Sequence, residues 1–290
     1  MSDFVILTDS CIDLTADMVE EIAVHVVPLG FTMEDRTYFN YPDNRDMDPR
    51  AFYDMLRAGA TATTSAVNVA DFACAMEPLL QQGLDILVLS FSSGLSTTYN
   101  SARIAAGELT EKYPQRRILV CDTMCASMGQ GLLVYLAAQK KRDGLSVQEL
   151  HAWAEENKLK ICHQFTVDDL HFLKRGGRVS ATTAVVGSML QIKPVLHVDD
   201  EGHLINIAKA RGRHASLKAL VDKMEETVTD PAQQTVFISH GDCLEDAEEV
   251  ARMVRERLGV RDVKINFVGP VIGAHTGPGV VALFYVGSKR

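Results

Sequence analysis

The sequence lacks the signals of membrane, secreted and nucleic-acid-binding proteins. No apolar run approaches the roughly 18 residues of a membrane-spanning helix, so we expect no stable membrane insertion. The first ten residues, MSDFVILTDS, have neither the basic segment nor the cleavage site of a signal peptide, which favours a cytoplasmic protein. Basic side chains number 29 against 38 acidic ones, for a net charge of −9. This balance argues against a broad electrostatic hold on nucleic acid.

Standard nucleotide, metal and hydrolase motifs are also missing. The chain contains no GxxxxGK[ST], no GxGxxG after a strand and no GxSxG. Its six cysteines form no CxxC pair, and the spacing of Cys121 and Cys125 is a weak metal signal without a second pair nearby. We therefore expect free thiols in a reducing compartment, no metal and no cofactor.

The sequence has the composition of a globular protein and a pattern of alternating strands and helices. With 290 residues, of which 47% are hydrophobic, the chain can form one large domain or two ordinary ones. Strands and helices alternate in the first half, which predicts a mostly parallel sheet with helices on both faces. Hairpins mix with helices further on. We expect an N-terminal α/β domain over residues 1–157 and a C-terminal α+β domain over residues 158–290.

Several local patterns predict particular elements. Residues 25–31 read as one strand, and "SCIDLTADMVEEIA" (10–23) reads as a helix. Asp48 is expected to cap a helix whose first residue is Pro49. A hairpin is expected to turn at residues 201–202, and a further helix to start near Ser180.

Two segments are rich in hydroxyl side chains. "SSGLSTTYNSA" (92–102) follows a buried strand and opens a helix, and "TTSAV" (63–67) is expected to be a loop before another helix. Such hydroxyls commonly cap helix starts. The free N–H groups of a helix start, helped by Ser96, can also bind a carboxylate or a phosphate. Both interpretations stay open from the motifs alone.

Two glycine-rich segments carry basic side chains. In "LKRGGRVS" (173–180) a Gly-Gly pair would let the chain turn sharply and direct Arg175 or Arg178 into a cleft. "GPVIGAHTGPG" (269–279) is expected to be a rigid loop that presents His275. A hydrolase that uses Ser96 and His275 is conceivable, although no acid partner for the histidine is evident.

Four segments in this order, spread over residues 4 to about 286, resemble the DegV family closely. They are "LTDSCIDLT", "SSGLSTTYNSA", "VDDLHFLKRGGRVS…VGSMLQIKPVL" and "GPVIGAHTGPG". The resemblance implies a two-domain protein that binds one long-chain fatty acid, such as palmitate or stearate, in a tunnel between its domains. It also implies a non-catalytic carrier, whose bound carboxylate is phosphorylated by a separate dihydroxyacetone-kinase-like subunit of fatty acid kinase.

The same resemblance implies roles for individual residues. The carboxylate-binding positions of the family fall on Thr64, Ser96, Arg178 and His275, and the position implicated in docking the kinase falls on Arg211. In the segment 181–192, candidate tunnel-wall residues are Val185, Val186, Met189 and Leu190. Two departures touch the head-group region: "TSAVN" replaces the usual "TSQPS", and "LSTTY" replaces "LSGTY".

Overall fold

The computed structural model describes residues 3–179 and 191–290. The helix predicted near Ser180 and the four candidate wall residues between Val185 and Leu190 lie outside the described residues. Within the described ranges, no helix is both long enough and apolar enough to cross a membrane.

The described residues form strands and helices in an order close to the predicted one. The strands are β1 (Phe4–Asp9), β2 (His25–Val27), β3 (Gly30–Met33), β4 (Arg36–Phe39), β5 (Ala62–Ser65), β6 (Asp85–Ser90), β7 (Ile118–Asp122), β8 (Ile161–Thr166), β9 (Ile192–Val198), β10 (Leu204–Arg211), β11 (Thr235–His240), β12 (Asp262–Phe267) and β13 (Val281–Val286). The helices are α1 (Ala16–Ile22), α2 (Pro49–Arg57), α3 (Val69–Gln81), α4 (Thr98–Lys112), α5 (Met128–Arg142), α6 (Val147–Asn157), α7 (Leu170–Arg175), α8 (Arg213–Thr227), α9 (Leu244–Leu258) and α10 (Pro270–Thr276).

Two large sheets follow one another along the chain. The first has the order β2-β1-β6-β7, and all its neighbouring strands run parallel. The second has the order β10-β9-β8-β13-β11-β12, in which only β11 and β12 are parallel neighbours. The mixed α/β fold with a parallel N-terminal sheet is therefore confirmed. All strands of the first sheet precede Asn157, and all strands of the second follow Lys160.

Alternating side chains of the parallel sheet pack against helices on its two faces. In β1, Ile6 belongs to one apolar cluster and Leu7 to another; in β6, Leu87 and Val88 divide in the same way. Residues of α5 and α6 fill the first cluster, and residues of α3 and α4 fill the second. This alternation follows from the two-residue period of a strand buried on both sides.

The sequence predictions for residues 10–31 and 63–67 are wrong in detail. Residues 25–31 form two strands rather than one, because Pro28 and Leu29 separate β2 in the parallel sheet from β3 in a third, antiparallel sheet. That small sheet has the order β4-β3-β5, so Thr64 lies on a strand and not in a loop. The first helix begins only at Ala16, after a short 3-10 turn at Ser10–Ile12.

One apolar cluster joins the two large sheets. Leu87 and Leu89 of β6 share it with Phe237 of β11 and Phe284 of β13. Helix α5 contacts strands of both sheets and therefore lies between them. The two halves of the chain thus share one apolar core.

A buried polar cluster also connects the halves, and we call Asp13, Ser127 and Ser239 the Asp-Ser-Ser cluster. The Ser127 hydroxyl donates to the Asp13 carboxylate at 2.6 Å and lies 2.9 Å from the Ser239 hydroxyl. The other carboxylate oxygen accepts the Gly269 N–H at 3.0 Å. Burial raises the pKa of Asp13 to about 7, although these hydrogen bonds favour the ionised form.

Replacing Asp13 should change how stability depends on pH. Between about pH 4 and about pH 7 the folded state holds a proton that the unfolded chain has released, so this group makes the unfolding free energy fall as pH rises. Asp13→Asn keeps the shape and removes the titration. We expect the variant to lose less unfolding free energy than the wild type, or to gain more, as pH is raised from about 4 to about 7. Urea denaturation at a series of pH values measures this.

The matched control is Glu20→Gln, the same chemical change at an exposed position of α1. It should leave the pH dependence of the wild type unchanged. An Asp13→Asn profile parallel to that of the wild type would show that this carboxyl does not titrate in the window.

Candidate functional site

A cavity of about 460 Å³ lies between the two halves of the protein. Its wall is mostly apolar and is built from both halves. Representative members are Phe91 and Leu95 from the first half, with Phe165, Val198, Val280 and Phe284 from the second. A volume of this order, with apolar walls and a few polar groups, is typical of a small-molecule site.

The four positions assigned to a carboxylate by resemblance all line this cavity: Thr64, Ser96, Arg178 and His275. They come from separate parts of the chain, namely β5, the segment before α4, the segment after α7, and α10. The fold therefore brings together residues that are as far apart as 211 positions in sequence. Their shared role remains a prediction, but their shared location is a feature of the structure.

Thr64 and His275 are directly hydrogen-bonded, with 2.9 Å between Thr64 Oγ1 and His275 Nε2. The prediction of a glycine-rich loop around His275 is wrong, because residues 270–276 form α10. Gly176, directly after α7, approaches the other side of the ring closely: a Cβ on Gly176 would lie 2.2 Å from His275 Nδ1. Gly176 thus lets the end of α7 pack against the imidazole ring.

The imidazole of His275 is neutral at physiological pH. Burial, together with the nearby cations of Arg178 and Arg175, lowers the pKa of His275 to about 4. Its Nδ1 atom is buried and has no hydrogen-bond partner among the described residues. If Nε2 carries the proton, it donates to the Thr64 oxygen and leaves the threonine O–H free to donate into the cavity.

Ser96 lies two residues before the first residue of α4, and its hydroxyl contributes to the start of that helix. Its hydroxyl oxygen accepts the Thr98 N–H at 3.2 Å, so it helps to cap the helix start. It also lies 2.9 Å from Thr98 Oγ1, and either hydroxyl can be the donor of that bond. When Thr98 donates, the Ser96 O–H is free to bond a ligand.

Arg178 is a half-buried cation that pairs with no carboxylate in the part of the chain that the structure describes. Its Nε donates to the Leu95 carbonyl at 3.3 Å, and its Nη1 donates to the Gly176 carbonyl. No described acidic side chain forms an ion pair with it, and the segment 180–190 contains no Asp or Glu. Burial lowers the pKa of Arg178, but guanidinium remains charged in proteins. The cavity therefore presents one uncompensated positive charge beside the two hydroxyls.

The geometry does not assemble a serine hydrolase. The described partner of His275 Nε2 is Thr64 rather than Ser96, and no described carboxylate orients the other ring nitrogen. A nucleophile needs a base within hydrogen-bond reach and a third group that orients that base. Among the described residues, no cluster of three or more His, Cys, Asp or Glu side chains could hold a metal ion.

Sequence reasoning missed four further polar residues of the cavity wall: Cys11, Ser127, His163 and Ser239. His163 is fully satisfied, because Nδ1 lies 2.9 Å from the Ile161 carbonyl and Nε2 accepts the Ala126 N–H at 3.1 Å. The sequence offered only positional information: Cys11 comes two residues after the end of the first strand, and Ser239 lies within the strand "TVFISH". Neither belongs to a recognisable motif.

Together, the fold and the cavity define an α/β protein with a mostly apolar slot between its two halves and a cationic polar end. The chain belongs to the DegV family: the model described as "Uncharacterised protein, DegV family" matches residues 3–288. A DegV domain-containing protein of Clostridium perfringens is 49% identical over 290 residues, which covers 100% of this chain and 99% of the relative.

Solved structures of the family have the same fold. A DegV family protein from Thermus thermophilus, whose structure is described as showing fatty acid binding, superposes with a TM-score of 0.89 at 29% identity and covers 99% of this chain and 100% of its own. A Thermotoga maritima protein described as revealing a fatty acid binding function superposes with a TM-score of 0.85, also at 29% identity, over 99% of this chain and 100% of its own.

The depressed pKa of His275 predicts a measurable loss of stability in acid. The unfolded chain takes up a proton near pH 6.5 that the folded protein refuses until about pH 4, so the unfolding free energy falls as pH is lowered through this range. His275→Ala removes this effect. Its unfolding free energy should fall less than that of the wild type over the same range in urea titrations.

His171→Ala is the control, since His171 is exposed on α7. It should follow the wild-type profile. Equal acid sensitivity in wild type and His275→Ala would mean that the imidazole is not held neutral by its surroundings.

Proposed function

We propose that this protein binds a long-chain fatty acid, with the alkyl chain in the cavity and the carboxylate at Thr64, Ser96, Arg178 and His275. The observation that carries the proposal is the Arg178 cation, unpaired with any described carboxylate, beside two hydroxyls in a mostly apolar cavity. The DegV proteins of similar fold that are described as fatty-acid-binding support it.

The chemistry of a fatty acid matches both parts of this cavity. Each buried methylene contributes about 0.8 kcal/mol, so the alkyl chain can supply most of the affinity. The carboxylate needs only a few donors, and hydrogen bonds to a charged group contribute about 1.5–3 kcal/mol each. Two hydroxyls and a single guanidinium that already donates to backbone carbonyls hold the head group without enclosing it in a full set of ion pairs.

We further propose that the protein is a carrier, not an enzyme, and that it presents the carboxylate to a separate kinase. A neutral His275 that donates to Thr64 would orient the threonine O–H toward the carboxylate while adding no charge of its own. The phosphoryl-transfer machinery would then belong to the partner. The boundary at residue 157 and the cytoplasmic location also remain proposals.

Native mass spectrometry of the purified protein tests the lipid-binding proposal. We expect the wild type to carry the mass of one long-chain acid, and Thr64→Ala combined with Ser96→Ala to lose affinity by at least tenfold, because two hydrogen bonds to a charged group are removed. Thr63→Ala, at the neighbouring exposed position of β5, should bind like the wild type.

Two results would contradict this proposal. One is that the purified wild-type protein carries no long-chain acid and binds none when it is added. The other is turnover of an acyl ester that Ser96→Ala abolishes, which would make the protein a hydrolase in spite of the missing acid partner.

A second prediction concerns Arg211, which lies exposed at the end of β10 with no described side-chain hydrogen bond or ion pair. A free cation at the surface of an acidic protein can steer an acidic partner surface. Arg211→Ala should bind fatty acid like the wild type and require a higher kinase concentration for the same yield of acyl phosphate. Reconstitution with the cognate dihydroxyacetone-kinase-like subunit measures this.

The control is Arg252→Ala, which removes the same charge from an exposed position of α9. It should leave the kinase dependence unchanged. Identical kinase titrations for wild type and Arg211→Ala would exclude Arg211 from the docking surface.

A further inference from the structure

The wall of the cavity contains a second polar point that a saturated alkyl chain does not use. Ser127 and Ser239 of the Asp-Ser-Ser cluster both line the cavity, and both side chains are buried, with exposed fractions of 5% and 0%. An apolar slot for a plain hydrocarbon would have no use for them, because polar groups in contact with an alkyl chain lose hydrogen bonds that water would supply.

The hydrogen-bond count of the cluster leaves one position open on the cavity side. A serine hydroxyl has a single proton and two lone pairs. With Asp13 ionised, Ser127 gives its proton to Asp13, so Ser239 must give its own to Ser127. Ser239 Oγ then has free lone pairs, and Ser127 is its one hydrogen-bond partner among the described residues. When Asp13 is protonated, the chain can reverse, and Ser239 can donate into the cavity.

The position of the cluster along the cavity is fixed by α10. Gly269, directly before this helix, donates to Asp13, and His275, near its end, bonds Thr64. Six residues of helix separate these two contacts by roughly 9 Å. A fatty acid with its carboxylate at Thr64 would therefore pass the Asp-Ser-Ser cluster if its alkyl chain runs along α10. The contact would fall in the middle part of a long alkyl chain.

The backbone conformation of Ser127 is a second indication that its side chain is held in a fixed position. Its φ of 52° is in the left-handed region, with ψ of −145°, a conformation that is unfavourable for a residue with a side chain. The hydrogen bonds to Asp13 and Ser239 help to hold it there. The serine hydroxyl is thereby fixed between the carboxylate and the cavity.

We propose, on the basis of the fatty-acid site proposed above, that Ser239 recognises a hydroxyl group in the middle part of the bound chain, so that hydroxylated fatty acids are preferred ligands. An alcohol can both donate and accept, which matches a serine whose role reverses with the protonation of its neighbour. A keto group only accepts and fits one of the two states. An unsubstituted chain leaves Ser239 without its second partner.

Equilibrium binding of stearate and of a positional series of monohydroxystearates tests the proposal. For wild type, at least one mid-chain isomer should bind about tenfold more tightly than isomers hydroxylated close to the carboxylate. Ser239→Ala should remove that preference and leave stearate affinity unchanged or increased. Ser216→Ala, at a buried serine whose hydroxyl donates to the Arg213 carbonyl outside the cavity, should keep the preference.

The outcomes separate this inference from the proposed function. The inference alone would be overturned if stearate binds tightly, every hydroxystearate binds no more tightly than stearate, and Ser239→Ala leaves the ranking of their affinities unchanged. No binding of stearate or of any hydroxystearate to folded wild-type protein would overturn the proposed function and the inference with it. Should Ser239→Ala fail to fold, Ser239→Cys replaces the hydroxyl by a thiol, which hydrogen-bonds only weakly, and should reduce the preference; an undiminished preference would overturn the inference.

Discussion

The arrangement of the site depends on one half-buried guanidinium, which has no carboxylate partner within residues 3–179 and 191–290. Arg178 is held by two backbone carbonyls, which fix its direction but leave its charge uncompensated by any described acid. A buried charge without a counterion is unfavourable unless something else supplies one. The cavity beside it is apolar along most of its wall, so the counterion that fits best is the head of a molecule that is otherwise hydrocarbon. Burial, reinforced by the charges of Arg178 and Arg175, lowers the pKa of His275 and keeps its imidazole neutral.

The contact between the two halves creates the cavity and also constrains it. Phe237 and Phe284 of the second sheet pack into the same cluster as Leu87 and Leu89 of the first, so the slot is a gap within a continuous core. Helix α10, from the end of the chain, contacts β3, β5 and α2 of the first half. It places His275 beside Thr64. The polar end therefore exists only when both halves are folded and packed together.

Much of the fold could be predicted because the local signals agree with the tertiary structure. Asp48 caps α2 with Pro49 at its first position, and the hairpin of β9 and β10 turns where Gly202 adopts a positive φ. The third sheet could not be predicted, because β5 is a four-residue strand rich in hydroxyls that reads as a turn or cap. Helix α10 was missed because Gly273 within it and the glycines on either side of it resemble a loop. At Gly273 the structure shows another reason for glycine: a Cβ would lie 2.6 Å from the Tyr53 hydroxyl.

The candidate site divides in the same way. Thr64, Ser96, Arg178 and His275 were assigned by resemblance of motifs, and the fold brings them to one cavity. The Asp-Ser-Ser cluster has no motif, because its members are more than a hundred residues apart and only packing brings them together.

A crystal structure of the protein with stearate is the most direct test of the central claim. We predict a carboxylate within hydrogen-bond distance of Thr64 Oγ1 and beside Arg178, with the alkyl chain in the cavity. A carboxylate at the opposite end, or a chain bound outside the cavity, would contradict it.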